Sequence, residues 1–238
     1  MKQLSRSLAV AFAVVSLAGV GSAQAGIWGN SGGIAPSGNF SWSNGQDVNG
    51  FFGDPVVTPD DRFVFSVGGF SVTDAFPDVG ATTKSDTVGW DLHIAPGYQL
   101  TGVEVRIQGT YSVKGENSYV MFAGDFDIDE LGGALRNFTA PIITTPVGFP
   151  LFGPNNTTQL NKQYSAVSTV DVSFENPDDD LHISFWNFLE AFKAATTDVA
   201  SINQQFQNFE IEIALVPEPS TLALLGFGAI ALIRRKRN

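Results

Sequence analysis

Leu100-Thr-Gly-Val-Glu-Val-Arg-Ile107 decides the fold class. Successive side chains of an extended strand point to opposite sides. Val103, Val105 and Ile107 therefore share one face, and Glu104 and Arg106 the other. Phe209-Glu-Ile-Glu-Ile213 repeats the pattern with Glu210 and Glu212 outward. One apolar and one polar face mark antiparallel sheets packed against a core.

Working outward, strand-like runs recur at short intervals: Arg62–Val67, Val88–Ile94, Gln99–Gln108, Tyr111–Val113, Tyr119–Ala123, Val167–Phe174, Leu181–Trp186 and Phe206–Val216. Turn residues separate them. The expectation is a mainly β chain, an antiparallel β-sandwich of jelly-roll or immunoglobulin-like topology, with one short helix. The helix is predicted over Phe188–Val199, where Phe188, Phe192, Ala195 and Val199 have helical spacing. Asn137–Asn161, with four prolines and Asn155-Asn-Thr-Thr158, reads as a long exposed loop. Gly26–Asp61, rich in Gly, Ser and Asn, reads as an early edge strand plus loops.

Both ends carry signals of a different kind. Lys2 and Arg6 precede an apolar stretch, Leu8–Val20, and the small-residue site Ala23-Gln24-Ala25. That order is a secretory signal peptide over residues 1–25, cut after Ala25, which implies the Sec translocon and signal peptidase. At the other end Val216-Pro-Glu-Pro-Ser-Thr221 precedes the 12-residue apolar run Leu222–Ile233 and the cluster Arg234-Arg235-Lys236-Arg237. Pro217 and Pro219 lack backbone donors and hold Glu218 in a stiff extended segment, predicted to join neither a helix nor a central strand. Such a peptide is the shape a processing enzyme can grip along its backbone.

The apolar run gives roughly 18 Å of helix against a hydrocarbon core of about 30 Å. The basic cluster extends its reach by snorkelling and holds the cytoplasmic side. This predicts a short membrane helix at about 221–233 and a basic stop at 234–238, a marginal anchor suited to transient tethering in the inner membrane. The tail resembles the PEP-CTERM sorting signal of Gram-negative bacteria over residues 216–238, with all three parts in order. The resemblance implies recognition of Pro217, Glu218 and Pro219 by an exosortase, then release to the cell surface or extracellular matrix. Bearers of the signal typically come from bacteria that make exopolysaccharide and biofilm.

Residues 26–215 are left as one ectodomain. The chain has no cysteine, so core burial must hold this domain together, and thiolate chemistry is excluded. Seven Lys and Arg stand against 23 Asp and Glu in residues 26–216, a formal charge of −16. Such a field repels nucleic acid.

Candidate chemistry is thin. Asp125, Asp127 and Asp129 alternate and would share a strand face, an oxygen-rich arrangement that suits Ca²⁺. The plainer reading is an acidic turn in water, as for Asp178-Asp-Asp180. His93 and His182 are the only histidines and sit in an echo, Asp91-Leu-His-Ile94 and Asp180-Leu-His-Ile183, at positions expected to face solvent. Trp28, Trp42, Trp90 and Trp186 are candidate sugar-stacking platforms. Gly29-Asn-Ser-Gly-Gly33 resembles the nucleophile surround of trypsin-like proteases, but Asn30 replaces the Asp and no His precedes Ser31. It reads instead as a flexible Gly/Ser leader. The Asn137 and Asn155 glycosylation-like triplets have meaning only with eukaryotic machinery.

These readings give an exported, non-enzymatic structural or adhesive protein of exopolysaccharide or biofilm. A calcium-assisted polysaccharide-binding module is the alternative, and a secreted hydrolase a third.

Overall fold

The structure is a computed structural model, and it describes residues 26–66, 70–73, 79–131, 137–153, 158–172 and 180–218, with backbone alone at 26–27 and 205–208. The predicted signal peptide with Ala23 and Ala25, Pro219, the predicted membrane helix at 221–233, Arg234 to Arg237, Asp178, Asp179 and the Asn155 triplet lie outside the described residues.

In chain order the strands are β1 (Gly26–Ile27), β2 (Gly33–Ile34), β3 (Phe40–Asp47), β4 (Pro55–Val57), β5 (Arg62–Phe65), β6 (Ser71–Thr73), β7 (Gly80–Ile94) and β8 (Tyr98–Lys114). They continue as β9 (Tyr119–Glu130), β10 (Asn137–Thr139), β11 (Ile143–Thr145), β12 (Leu151–Phe152), β13 (Gln159–Asp171), β14 (Asp180–Lys193) and β15 (Val199–Pro217). The first sheet runs β1-β3-β7-β14-β9-β10, with β2 on β3 and β12 on β9. The second runs β11-β13-β8-β15-β5-β4, with β6 on β15. The long strands β7, β8, β9, β13, β14 and β15 alternate between the two sheets in chain order.

The alternation read from Leu100–Ile107 holds: Val103, Val105 and Ile107 are buried in β8, as are Phe209, Ile211 and Ile213 in β15. They face Trp90, Leu92, Ile183 and Phe185 of the first sheet within one core. Aromatic rings tie the layers together, with Phe63 and Trp90 centroids 4.7 Å apart and Phe185 and Phe209 5.2 Å apart. The fold is the expected antiparallel sandwich.

Three expectations are corrected. No helix forms over 188–199: β14 runs on to Lys193, and a turn closed by Asp198 N–H to Ala195 O leads into β15. Asn187, Leu189 and Ala191 are buried while Phe188, Glu190 and Phe192 face outward, so a period of 2 overrides the helical spacing. Both neighbours, β7 and β9, offer partners as far as Phe192, and strand pairing outweighs intrinsic propensity.

Asn137–Asn161 is no free loop either. β10 and β12 cover the edge of β9, and β11 covers the edge of β13, so the segment crosses between sheets and protects both. Finally, the 29–33 stretch is docked. Gly29 N–H donates to the Asp54 carboxylate, Trp42 Nε1 to Asn30 O at 3.2 Å, and Gly45 N–H to Ser31 O at 2.9 Å. Gly33 is required there because the Trp42 indole lies where a Cβ would stand, 2.7 Å away.

Candidate functional site

The first site is the start of the sorting tail. Ala95-Pro96-Gly97-Tyr98 forms the turn from β7 to β8, closed by Tyr98 N–H to Ala95 O at 3.2 Å. Proline at the second position and Gly97 at the third, with φ of +88°, are what a type II turn requires. The last residues of β15 pair beside it: Leu215 with Leu100, Val216 with Gln99 and Pro217 with Tyr98. Glu218 N–H then donates to Gly97 O at 2.9 Å. Pro217 is therefore the last residue of β15 in the second sheet, and Glu218 lies beyond the strand, in neither a helix nor a central strand, as expected. The position tolerates proline because β15 has already left β5, whose last partner is Glu212, so Pro217 sits on a one-sided end. The turn was legible as Pro-Gly between two alternating runs, but its meeting with residue 218 was not.

The second site is the outer face of the first sheet. Asp125, Asp127 and Asp129 do share that face, opposite Trp186, Ser184 and His182 of β14. Alternate residues of a strand stand about 7 Å apart, whereas calcium draws its oxygens to within about 2.5 Å of one centre. Among the described residues no group of three or more such side chains is placed to hold a metal ion. Burial pushes the Asp127 carboxyl up, and the charges of Asp125 and Asp129 add to it. Asn137 donates to Asp129 Oδ1 at 2.7 Å.

The Asp-Leu-His-Ile echo has a register explanation. β7 and β14 pair so that His93 meets Asp180 and Asp91 meets His182. Each histidine Nδ1 lies 2.7 Å from the other motif's carboxylate. Ser43 Oγ lies 2.9 Å from His93 Nε2, and Asn44 donates to Asp91. Burial raises Asp91, but the hydrogen bonds from His182 and Asn44 outweigh it and hold the carboxyl below its usual range. Both histidines face outward, as expected, and each is bound to a carboxylate.

Ser43, His93 and Asp180 are connected in the order of a nucleophile, a base and an orienting acid, a juxtaposition absent from the sequence reading. The setting differs from a hydrolase site, which encloses its triad beside oxyanion donors. The Asp180 side chain is 61% exposed on an open sheet face. Two cavities, of about 330 and 310 Å³, lie against residues such as Glu104 and Thr169, and Gln108 and Gln163, of the second sheet.

The tryptophans divide sharply. Trp28, Trp42 and Trp90 are buried in the core and are no platforms, whereas Trp186 is 40% exposed. Its ring stacks on Phe188 at 5.9 Å, and farther along the same face Phe192, Tyr119 and Phe152 continue an aromatic row.

Among the described residues no helix is long and apolar enough to cross a membrane, and the apolar run 222–233 lies outside them. Two solved structures, of infectious bursal disease virus strains Gt and Gx, are similar at 10% and 12% identity over 67% and 84% of this chain. This chain covers 42% and 58% of those chains, at TM-scores of 0.17 and 0.15, and likeness that slight bears on neither fold nor function. No curated protein matches the sequence. Residues 215–237 match the family model for the PEP-CTERM protein-sorting motif. The chain therefore ends its second sheet in a PEP-CTERM sorting signal, which marks an exported protein processed by an exosortase.

Proposed function

We propose that the processed domain is a non-enzymatic structural or adhesive component of the cell surface or extracellular matrix, working within exopolysaccharide or biofilm material. The observation that carries this reading is the placement of polar groups, together with Trp186 and the rings beside it, on an open sheet face of a two-layered body. Such faces suit contact with extended polymers. Labelling with a fluorophosphonate probe tests the non-enzymatic part: Ser43 should not react. Labelling that disappears in Ser43→Ala would establish a nucleophile and overturn it. Deleting the gene and scoring matrix cohesion tests the structural part, with unchanged cohesion as the contrary result.

A second reading, polysaccharide binding, is favoured by Trp186 and Phe188. A flat exposed ring offers the apolar face of a sugar a stacking surface, and Ser184, Thr87 and Asp125 flank it with polar groups. The charge of −16 over residues 26–216 favours neutral or amine-bearing polymers over anionic ones. Retardation in gels containing neutral, cationic or anionic polysaccharide reads this directly.

A further inference from the structure

Pro217 and Pro219 have no backbone N–H, so Glu218 supplies the one backbone donor of Pro217-Glu218-Pro219. That donor is occupied by Gly97 O. Just upstream, Leu215, Val216 and Pro217 are in register with Leu100, Gln99 and Tyr98, and Leu215 and Tyr98 both pack against the core. Three residues separate Pro217 from the buried Ile213, with Thr101 Oγ1 donating to Ala214 O at 3.0 Å between them. The recognition motif thus begins inside the folded domain, with no spacer.

Enzymes that take extended peptides do so largely through backbone hydrogen bonds, adding the peptide as a strand. In this chain the same backbone already belongs to β8 and to the β7–β8 turn. Binding the motif as a free strand requires that residues 215–218 first leave the sheet.

The same geometry makes that departure local. Beyond Ile213, whose N–H reaches Asp61 O, β15 pairs with β8 alone among the described residues, and the register shifts between Ala214 and Leu215. Val216 is 42% exposed. A one-sided, irregular, half-exposed strand end belongs to the low-stability part of a fold and opens without global unfolding.

We propose that the fold gates its own processing: the Ala95–Tyr98 turn and the start of β8 hold the motif shut, and exosortase acts on the fraction of molecules in which residues 215–218 have peeled away. This rests on the chain being an exosortase substrate. The processing rate is then set by a local opening equilibrium as well as by the enzyme, and the ectodomain keeps both sheets paired up to Ile213 while the tail is handed over.

The test uses the full chain in its own exosortase-bearing host. The chain has no cysteine, so Gln99→Cys with Val216→Cys can form only one bridge, between residues already in register. The oxidised double variant should keep its C-terminal tail, with processing at least about tenfold slower than in either single variant, and a reductant should restore the rate. A four-residue Gly-Ser insertion between Val216 and Pro217 leaves the motif intact but frees it from register, and should speed processing by about threefold or more in a pulse-chase. Oxidised double variant cut at the single-variant rate, or an insertion variant no faster than the native chain, overturns the gate. Failure of the native chain itself to lose residues 234–238 is a different result and strikes the exosortase reading instead.

Discussion

Asp47 of β3 and Asp86 of β7 accept between them the five consecutive backbone N–H groups of residues 49–53. Asn49 and Phe51 donate to Asp86 at 2.8 and 3.0 Å, and Gly50, Phe52 and Gly53 to Asp47 at 2.8–2.9 Å. Both carboxyls are buried, at 2% and 1% exposure. The loop is wrapped around two acids because its N–H groups have no strand to bond, and a buried donor left unpaired is costly.

Burial pushes Asp86 up to about 7, aided by the hydrogen bond and charge of Asp47 and opposed by the N–H groups of Phe51 and Asn49. The folded state then keeps a proton that the unfolded chain releases near 4. This contribution to stability is present at low pH and is lost as pH rises from about 4 through about 7. Urea unfolding of the processed domain should show it less stable at pH 8 than at pH 5 by about 2–3 kcal/mol. Asp86→Asn should flatten that difference, and a native profile that rises over this range would contradict the assignment.

The strand at 188–193 has its own test. Leu189 is fully buried and Phe188 faces outward. Leu189→Asp places an unpaired carboxylate in the core and should cost about 4 kcal/mol or more, enough to unfold a marginal domain. Phe188→Ser should cost about 1 kcal/mol or less. Thermal melts followed by circular dichroism read both; equal losses would argue for the helical arrangement.

Trp186→Ala removes an exposed ring and should change stability by about 1 kcal/mol at most. If the outer face binds polysaccharide, the same change should abolish gel retardation, since stacking a sugar or base on an aromatic ring is worth on the order of 1–3 kcal/mol. Retained retardation in this variant, with folding intact, would move the binding surface elsewhere.

Burial, and then the like charges of Asp125 and Asp129, raise the Asp127 carboxyl. Asp127→Asn should therefore be neutral to slightly stabilising, within about 0.5 kcal/mol, at pH 7. Addition of calcium or of EDTA should leave the thermal midpoint of the processed domain in place. A midpoint that falls on chelation, and no longer does so in Asp127→Asn, would restore a calcium role for Asp125, Asp127 and Asp129.

Much of the architecture was readable in residues. The alternation of Val103, Val105 and Ile107, and of Phe209, Ile211 and Ile213, specified strands and their buried faces, because a period of 2 admits one inward set. The helix expected at Phe188 failed because Phe188 and Phe192 satisfy periods of 2 and 3.6 alike, and only the partners on β7 and β9 choose between them. The short strands of 137–152 carry no pattern of their own and exist because two sheet edges needed covering.

The sorting tail was determined by the chain alone, since its match to the sorting motif over residues 215–237 lies in the order of residues along one short stretch. So was the outward placement of His93, His182, Asp125, Asp127 and Asp129, which follows from strand parity. Tertiary structure decided what these residues meet. Crossed register joins His93 to Asp180 and His182 to Asp91, core packing hides three tryptophans and leaves Trp186 outside, and β15 carries the motif onto Gly97. Local sequence sets which way a side chain points, whereas its partner can lie 148 residues away, as Arg62 and Glu210 do. Only the pairing of distant strands brings such groups together.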